Sequence, residues 1–183
     1  ILLAINGYFA FALSSLFVAM LGDALDGIWA RKRGIERSFG RYLDGFVDEL
    51  DYLIAPSVFL YLWGFQQGYQ IALLLIFMMC GMVRLSVFNE VGNIKEDKGL
   101  SYLGMPVFWS VFLLGGAYLL NLLLPQAVVF TLLSLSLVAM SFMMVYKAPF
   151  FKFKSLKQIL ILVGSGISAF AIIGLLGGLS LIH

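Results

Sequence analysis

From Gly99 to Tyr146 the chain carries no charged side chain, and no other feature constrains its fold as tightly. A helix needs about 20 apolar residues to cross a hydrocarbon core roughly 30 Å thick. This run is too long for one span and suits two. Asn121 and Pro125 supply the break, because proline has no amide to donate and ends a helix. In lipid every backbone N–H and C=O must be satisfied within the segment, so helices are the expected element.

The other apolar runs extend the pattern. Tyr8 to Arg33, Ser38 to Gly64, Tyr69 to Asn89, Leu103 to Leu124, Gln126 to Tyr146 and Gln158 to Ile182 read as six transmembrane helices. The expected fold is therefore an all-α, polytopic integral membrane bundle, one domain over residues 1–183. Composition agrees, with 62% hydrophobic and 12% charged residues against about 25% charged in ordinary soluble domains. Ile1 to Ile5 reads as the tail of an earlier span and Asn6-Gly7 as a turn, so a further helix is expected ahead of Ile1. The opening lacks the basic flank of a cleaved secretory signal. The lone Cys80 sits in an apolar run and offers neither a disulfide framework nor a cysteine zinc site.

The charges fall at alternate connections. Arg31, Lys32, Arg33, Arg37 and Arg41 flank the first, Arg84, Lys95 and Lys98 the third, and Lys147, Lys152, Lys154 and Lys157 the fifth, which accounts for all 12 basic residues. The connections at Trp63 to Tyr69 and Asn121 to Gln126 carry none. The positive-inside bias then places the odd connections in the cytoplasm. All 10 acidic residues lie near the same turns, so the working face is expected to be cytoplasmic. Lys147 to Lys157, with Phe150, Phe151 and Phe153 between the lysines, suits anionic headgroups or a plain topology signal. Membrane lipids are the expected surroundings, and no nucleic-acid partner is expected.

Ionisable groups are costly in a span, about 2.5 to 3.5 kcal/mol each near its centre, so Asp23 and Asp26 at the end of the first helix call for a reason. On the next helix Gly40, Asp44, Asp48 and Asp51 are spaced four, four and three, one stripe of an α-helix. Asp23, Asp26 and Ala30 form a matching stripe on the helix before. Two antiparallel neighbours joined by a short turn can turn these stripes toward each other and gather Asp23, Asp26, Asp44 and Asp48. Like charges so close cannot all stay ionised unaided. A hard divalent cation relieves them, and an all-oxygen set without His or Cys suits magnesium, manganese or calcium, magnesium or manganese being favoured. Pairing with the nearby arginines and lysines explains any one aspartate, but poorly explains four in register. Gly27 and Gly40 leave helix backbone open to a ligand, and Ala30 does the same unless it serves helix packing.

These residues spell a pattern: Asp23-Ala-Leu-Asp26-Gly27-Ile-Trp-Ala30-Arg31, eight residues, Gly40, three residues, Asp44, three residues, Asp48. It resembles the signature of the CDP-alcohol phosphatidyltransferase family at every fixed position. Cys80-Gly-Met-Val-Arg84-Leu-Ser-Val-Phe88-Asn89, Tyr102-Leu-Gly-Met-Pro106 and Met144-Val-Tyr-Lys-Ala-Pro149-Phe-Phe-Lys look similar to the serine-accepting branch, so the resemblance spans roughly residues 8 to 154. It departs at Gly45 and Asp51, where that branch usually has a serine and a serine or threonine.

The resemblance implies transfer of a phosphatidyl group from CDP-diacylglycerol to a small polar alcohol with release of CMP. L-serine is the expected acceptor, and choline, inositol phosphate or glycerol phosphate are the alternatives. It implies Mg2+ or Mn2+ on Asp23, Asp26, Asp44 and Asp48, with Asp48 as general base. Asp26, Gly27, Ala30, Arg31 and Gly40 are implied at the CDP-lipid, and a homodimer is implied as the assembly. Asp51 is expected to receive an acceptor ammonium. Arg84 would take a carboxylate or phosphate, unless it merely snorkels to the interface. Asn89, Tyr102 and Pro106 are expected at the mouth of the site.

Two other classes compete. A membrane prenyltransferase also holds a lipid pyrophosphate through aspartates, but its motifs generally lie further apart in sequence. A transporter or channel needs polar groups along both halves of its helices, and here the outer halves have almost none.

Overall fold

The computed structural model describes residues 1–33, 38–91, 94–96, 99–150 and 156–180. The chain divides into two compact units, Ile1–Glu36 with Phe153–His183, and Arg37–Lys152.

In the first unit a single turn, α1 (Leu2–Ile5), leads through Gly7 at φ +81° into α2 (Phe9–Arg33), and α8 (Leu156–Ser180) packs along α2. The Asn6-Gly7 turn is as expected. Lipid offers no hydrophobic force between helices, so close packing must hold them. Small residues provide it: a Cβ at Gly166 would stand 2.7 Å from the Phe17 ring and one at Gly174 2.9 Å from the Phe11 ring. Between them Phe170 stacks on Phe17 at 5.6 Å between centroids. Ser14 Oγ donates to Ile167 O at 3.1 Å, satisfying a hydroxyl that has no water to turn to.

In the second unit α3 (Ser38–Glu49), a π-helical turn (Leu50–Ile54) and α4 (Ala55–Trp63) run on from one another. Gly64, at φ +115°, ends α4 with Phe65 N–H bonded to Leu60 O at 2.9 Å, the left-handed stop that glycine permits. Next come α5 (Gly68–Val91), α6 (Trp109–Leu120) and α7 (Gln126–Val145). The break between α6 and α7 falls at Asn121 to Pro125, as expected. Three short strands, β1 (Ile94–Glu96), β2 (Gly99–Leu103) and β3 (Pro149–Phe150), form an antiparallel sheet with Lys95 opposite Leu100 and Tyr102 opposite Phe150. Nothing in the apolar pattern of the sequence predicts these strands. Gly104 at φ +86° locks this segment down, because any Cβ there would meet Met144 O at 2.8 Å, and Met105 N–H bonds Met143 O at 3.0 Å.

Among the described residues four helices are long and apolar enough to cross a membrane, with windows Phe9–Asp26, Gly68–Glu90, Gln126–Val145 and Lys157–Gly177. The other two expected spans differ in form. Ser38 to Gly64 is not one regular helix, since the π turn and Pro56 divide it and α3 carries the charges. Leu103 to Leu124 contracts to Trp109–Leu120, because β2, Gly104 and Pro106 hold the residues before it out of the helix. Exposed Val18, Leu75, Ile76, Met79, Leu135 and Ile161 cover helix faces that a soluble protein would bury. The molecule is a membrane protein.

Candidate active site

Asp23 and Asp26 stand three apart on α2, so the helix turns them to one face. Asp23 is half-buried and Asp26 exposed, and carboxylate oxygens of the two lie within 4.8 Å of each other. Of Gly27, Ala30 and Arg31 the structure describes the helical backbone alone. Asp44 and Asp48 stand four apart on α3, Asp44 exposed and Asp48 half-buried. Each pair is thus a local consequence of α-helical periodicity, the first in the unit of Ile1–Glu36 and the second in that of Arg37–Lys152. Beside Gly40 a Cβ would meet nothing within 4 Å among the described residues, so the backbone there is open.

Asp51 lies where the helix changes form. Leu50–Ile54 is π-helical, with Ala55 N–H bonded to Leu50 O five residues back. That wider turn changes the angle between successive residues, so the step of three from Asp48 no longer fixes the face of Asp51. The irregularity has a visible support. Pro56 offers no amide to Tyr52 O, and Ser110 Oγ on α6 donates to that carbonyl at 2.6 Å instead. A methyl at Gly81 of α5 would collide with the side chain of Leu53, which is fully buried. The turn is wedged between α5 and α6.

Arg84 is only 4% exposed, with its guanidinium carbon 5.6 Å from the centroid of the Phe88 ring. A side chain snorkelling to water would be exposed, so that reading does not hold. A buried cation persists only where carboxylates, carbonyls or aromatic faces replace water. Five residues on, the half-buried Asn89 lies against α3 at Gly45, where a Cβ would stand 2.6 Å from the Asn89 amide nitrogen. This contact was missed in the sequence, although a glycine inside a helix is itself a signal, costing about 1 kcal/mol relative to alanine. Glu36, Arg37, Asp97, Lys98, Phe151 to Ser155 and His183 lie outside the described residues.

The family model for CDP-alcohol phosphatidyltransferases matches residues 1–172. The chain belongs to that family. It is thereby a member of a family of membrane enzymes of phospholipid biosynthesis. Its relatives include a CDP-diacylglycerol–serine O-phosphatidyltransferase of Methanocaldococcus jannaschii, 30% identical over 139 residues that cover 74% of this chain and 66% of the relative. A protein of the same name from Bacillus subtilis is 32% identical over 142 residues, 76% of this chain and 73% of the relative. A phosphatidylcholine synthase of Borreliella burgdorferi is 23% identical over 138 residues, 73% of this chain and 55% of the relative. The chain thus spans just under two thirds of the first relative's length and about half of the last. The names of these relatives include both serine and choline products, so members similar to this chain differ in their acceptor.

Proposed function

We propose that this protein transfers a phosphatidyl group from CDP-diacylglycerol to L-serine, releasing CMP, at a site on the cytoplasmic side of the membrane. The observation that carries this reading is the pair of aspartate stripes, Asp23 with Asp26 on α2 and Asp44 with Asp48 on α3, in a chain of this family. Four carboxylates and no His or Cys make a donor set suited to a hard divalent cation. The close approach of Asp23 and Asp26 oxygens fits a shared ion, since two such charges repel unless a cation stands between them. Asp23, Asp26, Asp44 and Asp48 would hold Mg2+ or Mn2+. Such an ion, when bound, neutralises pyrophosphate charge.

The chain's own groups do the rest. The backbone open at Gly40, with Gly27 and Ala30, admits the nucleotide, and Arg31 holds phosphate oxygens through its planar donors. Asp48 accepts the proton of the incoming hydroxyl as its oxygen bonds to the lipid-linked phosphorus. The bond from that phosphorus to the bridging oxygen breaks, and CMP departs with the electron pair. Buried Arg84 suits the carboxylate of an amino-acid acceptor, and Asp51 its ammonium. The homodimer implied by the resemblance belongs to this reading.

Choline is the second acceptor to test, because one relative is a phosphatidylcholine synthase and choline needs no partner for a carboxylate. Purified protein in detergent or liposomes, given CDP-diacylglycerol with serine, choline, inositol phosphate or glycerol 3-phosphate, should release CMP with serine. EDTA should stop the release, and excess Mg2+ or Mn2+ should restore it. No CMP with any acceptor would sink the reading, and CMP with choline alone would correct the acceptor.

A further inference from the structure

Gly45 sits in the middle of α3 and is buried, and its lack of a side chain is what allows Asn89 of α5 to approach. A Cβ there would stand 2.6 Å from the Asn89 amide nitrogen and 3.5 Å from both the amide carbon and oxygen. The amide therefore lies against helix backbone next to Asp44 and three residues from Asp48, on the face that positions 45 and 48 share. Arg84 lies five residues back on α5, about 7.5 Å along the axis at 1.5 Å per residue. Between α3 and α5 the second unit thus sets a neutral amide near Asp48 and a buried guanidinium about one and a half turns back along α5. An amide is donor and acceptor at once and does not titrate. It can engage a hydroxyl, a carboxylate or an ammonium without adding charge to a site already rich in aspartate.

We propose that Asn89 is a specificity-determining residue for the acceptor. Its amide hydrogen-bonds the polar substituents of the incoming alcohol beside Asp48, and in this chain Gly45, where the serine-accepting branch usually has a serine, leaves the space in which that amide sits. The substrate class this selects is a small alcohol bearing hydrogen-bonding groups next to its hydroxyl, as an amino-acid alcohol does and a quaternary amine does not. The assignment rests on the transferase reading given above.

The experiment compares wild type, Asn89→Ala, Gly45→Ala and the double variant by CMP release, with serine and CDP-diacylglycerol varied separately. Each single variant should raise the KM for serine about three- to tenfold, the worth of one neutral hydrogen bond. The KM for CDP-diacylglycerol and the Mg2+ concentration for half activity should stay at their wild-type values. The double variant should be no worse than Asn89→Ala, because Gly45→Ala acts only by displacing the amide. An unchanged serine KM in Asn89→Ala, an equal rise in the KM for CDP-diacylglycerol, or additive losses in the double variant would overturn the assignment. If Gly45→Ala fails to bind CDP-lipid through misfolding, the KM split of Asn89→Ala decides alone. A wild-type protein that releases no CMP with any alcohol would instead bring down the transferase reading, and this assignment with it.

Discussion

Asp48 stands on the last α-helical turn before the backbone widens at Leu50, half-buried, one turn on from Asp44. Replacing it with asparagine keeps the shape and removes the base. Asp48→Asn should lower turnover about 100-fold or more, the usual worth of a positioned general base, while equilibrium binding of CDP-lipid stays within reach of wild type. Wild-type turnover in this variant would take the proton transfer away from Asp48. Asp23→Ala should behave differently, raising the Mg2+ concentration for half-maximal CMP release before it lowers the maximum. Asp51→Ser should alter acceptor preference and leave donor binding alone. The aspartates were legible in the sequence because spacings of three and four are a property of any α-helix. Gly45 with Asn89 was not, since the two meet only through the packing of α3 on α5, and neither residue names its partner.

At the scale of the element, the unexpected feature is the π turn. Hydropathy along Ser38 to Gly64 reads as one span, and nothing in its period announces that the helix widens at Leu50–Ile54. The cause is tertiary: Leu53 fills the space left by Gly81, and Ser110 on α6 supplies the donor that Pro56 withholds from Tyr52 O. Ser110→Ala should therefore remove one hydrogen bond to a buried residue and cost about 0.5 to 1.5 kcal/mol, measured by thermal unfolding in detergent. Pro56→Ala restores an amide at that position. In that background the loss from Ser110→Ala should shrink, and equal losses in both backgrounds would show that the hydroxyl does not stand in for the missing donor. The shortened α6 and the small sheet have the same kind of origin. Gly104 and Pro106 were visible as residues, but the carbonyls of Met143 and Met144 that receive this segment lie about 40 residues on in the chain.

Within the unit of Arg37–Lys152 the two ends of the helices differ in chemistry. Around the uncharged connections Phe59, Trp63, Phe65, Tyr118 and Phe130 form an aromatic cluster, with Trp63 5.5 Å from Tyr118 and 5.4 Å from Phe130 between ring centroids. Gln126 Nε2 ties the cluster together by donating to Trp63 O at 3.1 Å. Aromatic residues with a polar edge settle at a membrane interface, and basic residues mark the cytoplasmic end. Asp44, Asp48, Asn89 and Lys147 belong to that basic end, which is why the site should face the cytoplasm. Sidedness can be read directly with Cys80 replaced by serine and single cysteines introduced at Gln66 and Lys147, both exposed. A membrane-impermeant maleimide should label Lys147→Cys only in inverted vesicles and Gln66→Cys only in right-side-out ones. The reverse pattern would put the aspartates outside, away from the soluble nucleotide pool that a CMP-releasing enzyme must exchange with, and the transferase reading would then lack a route for its product.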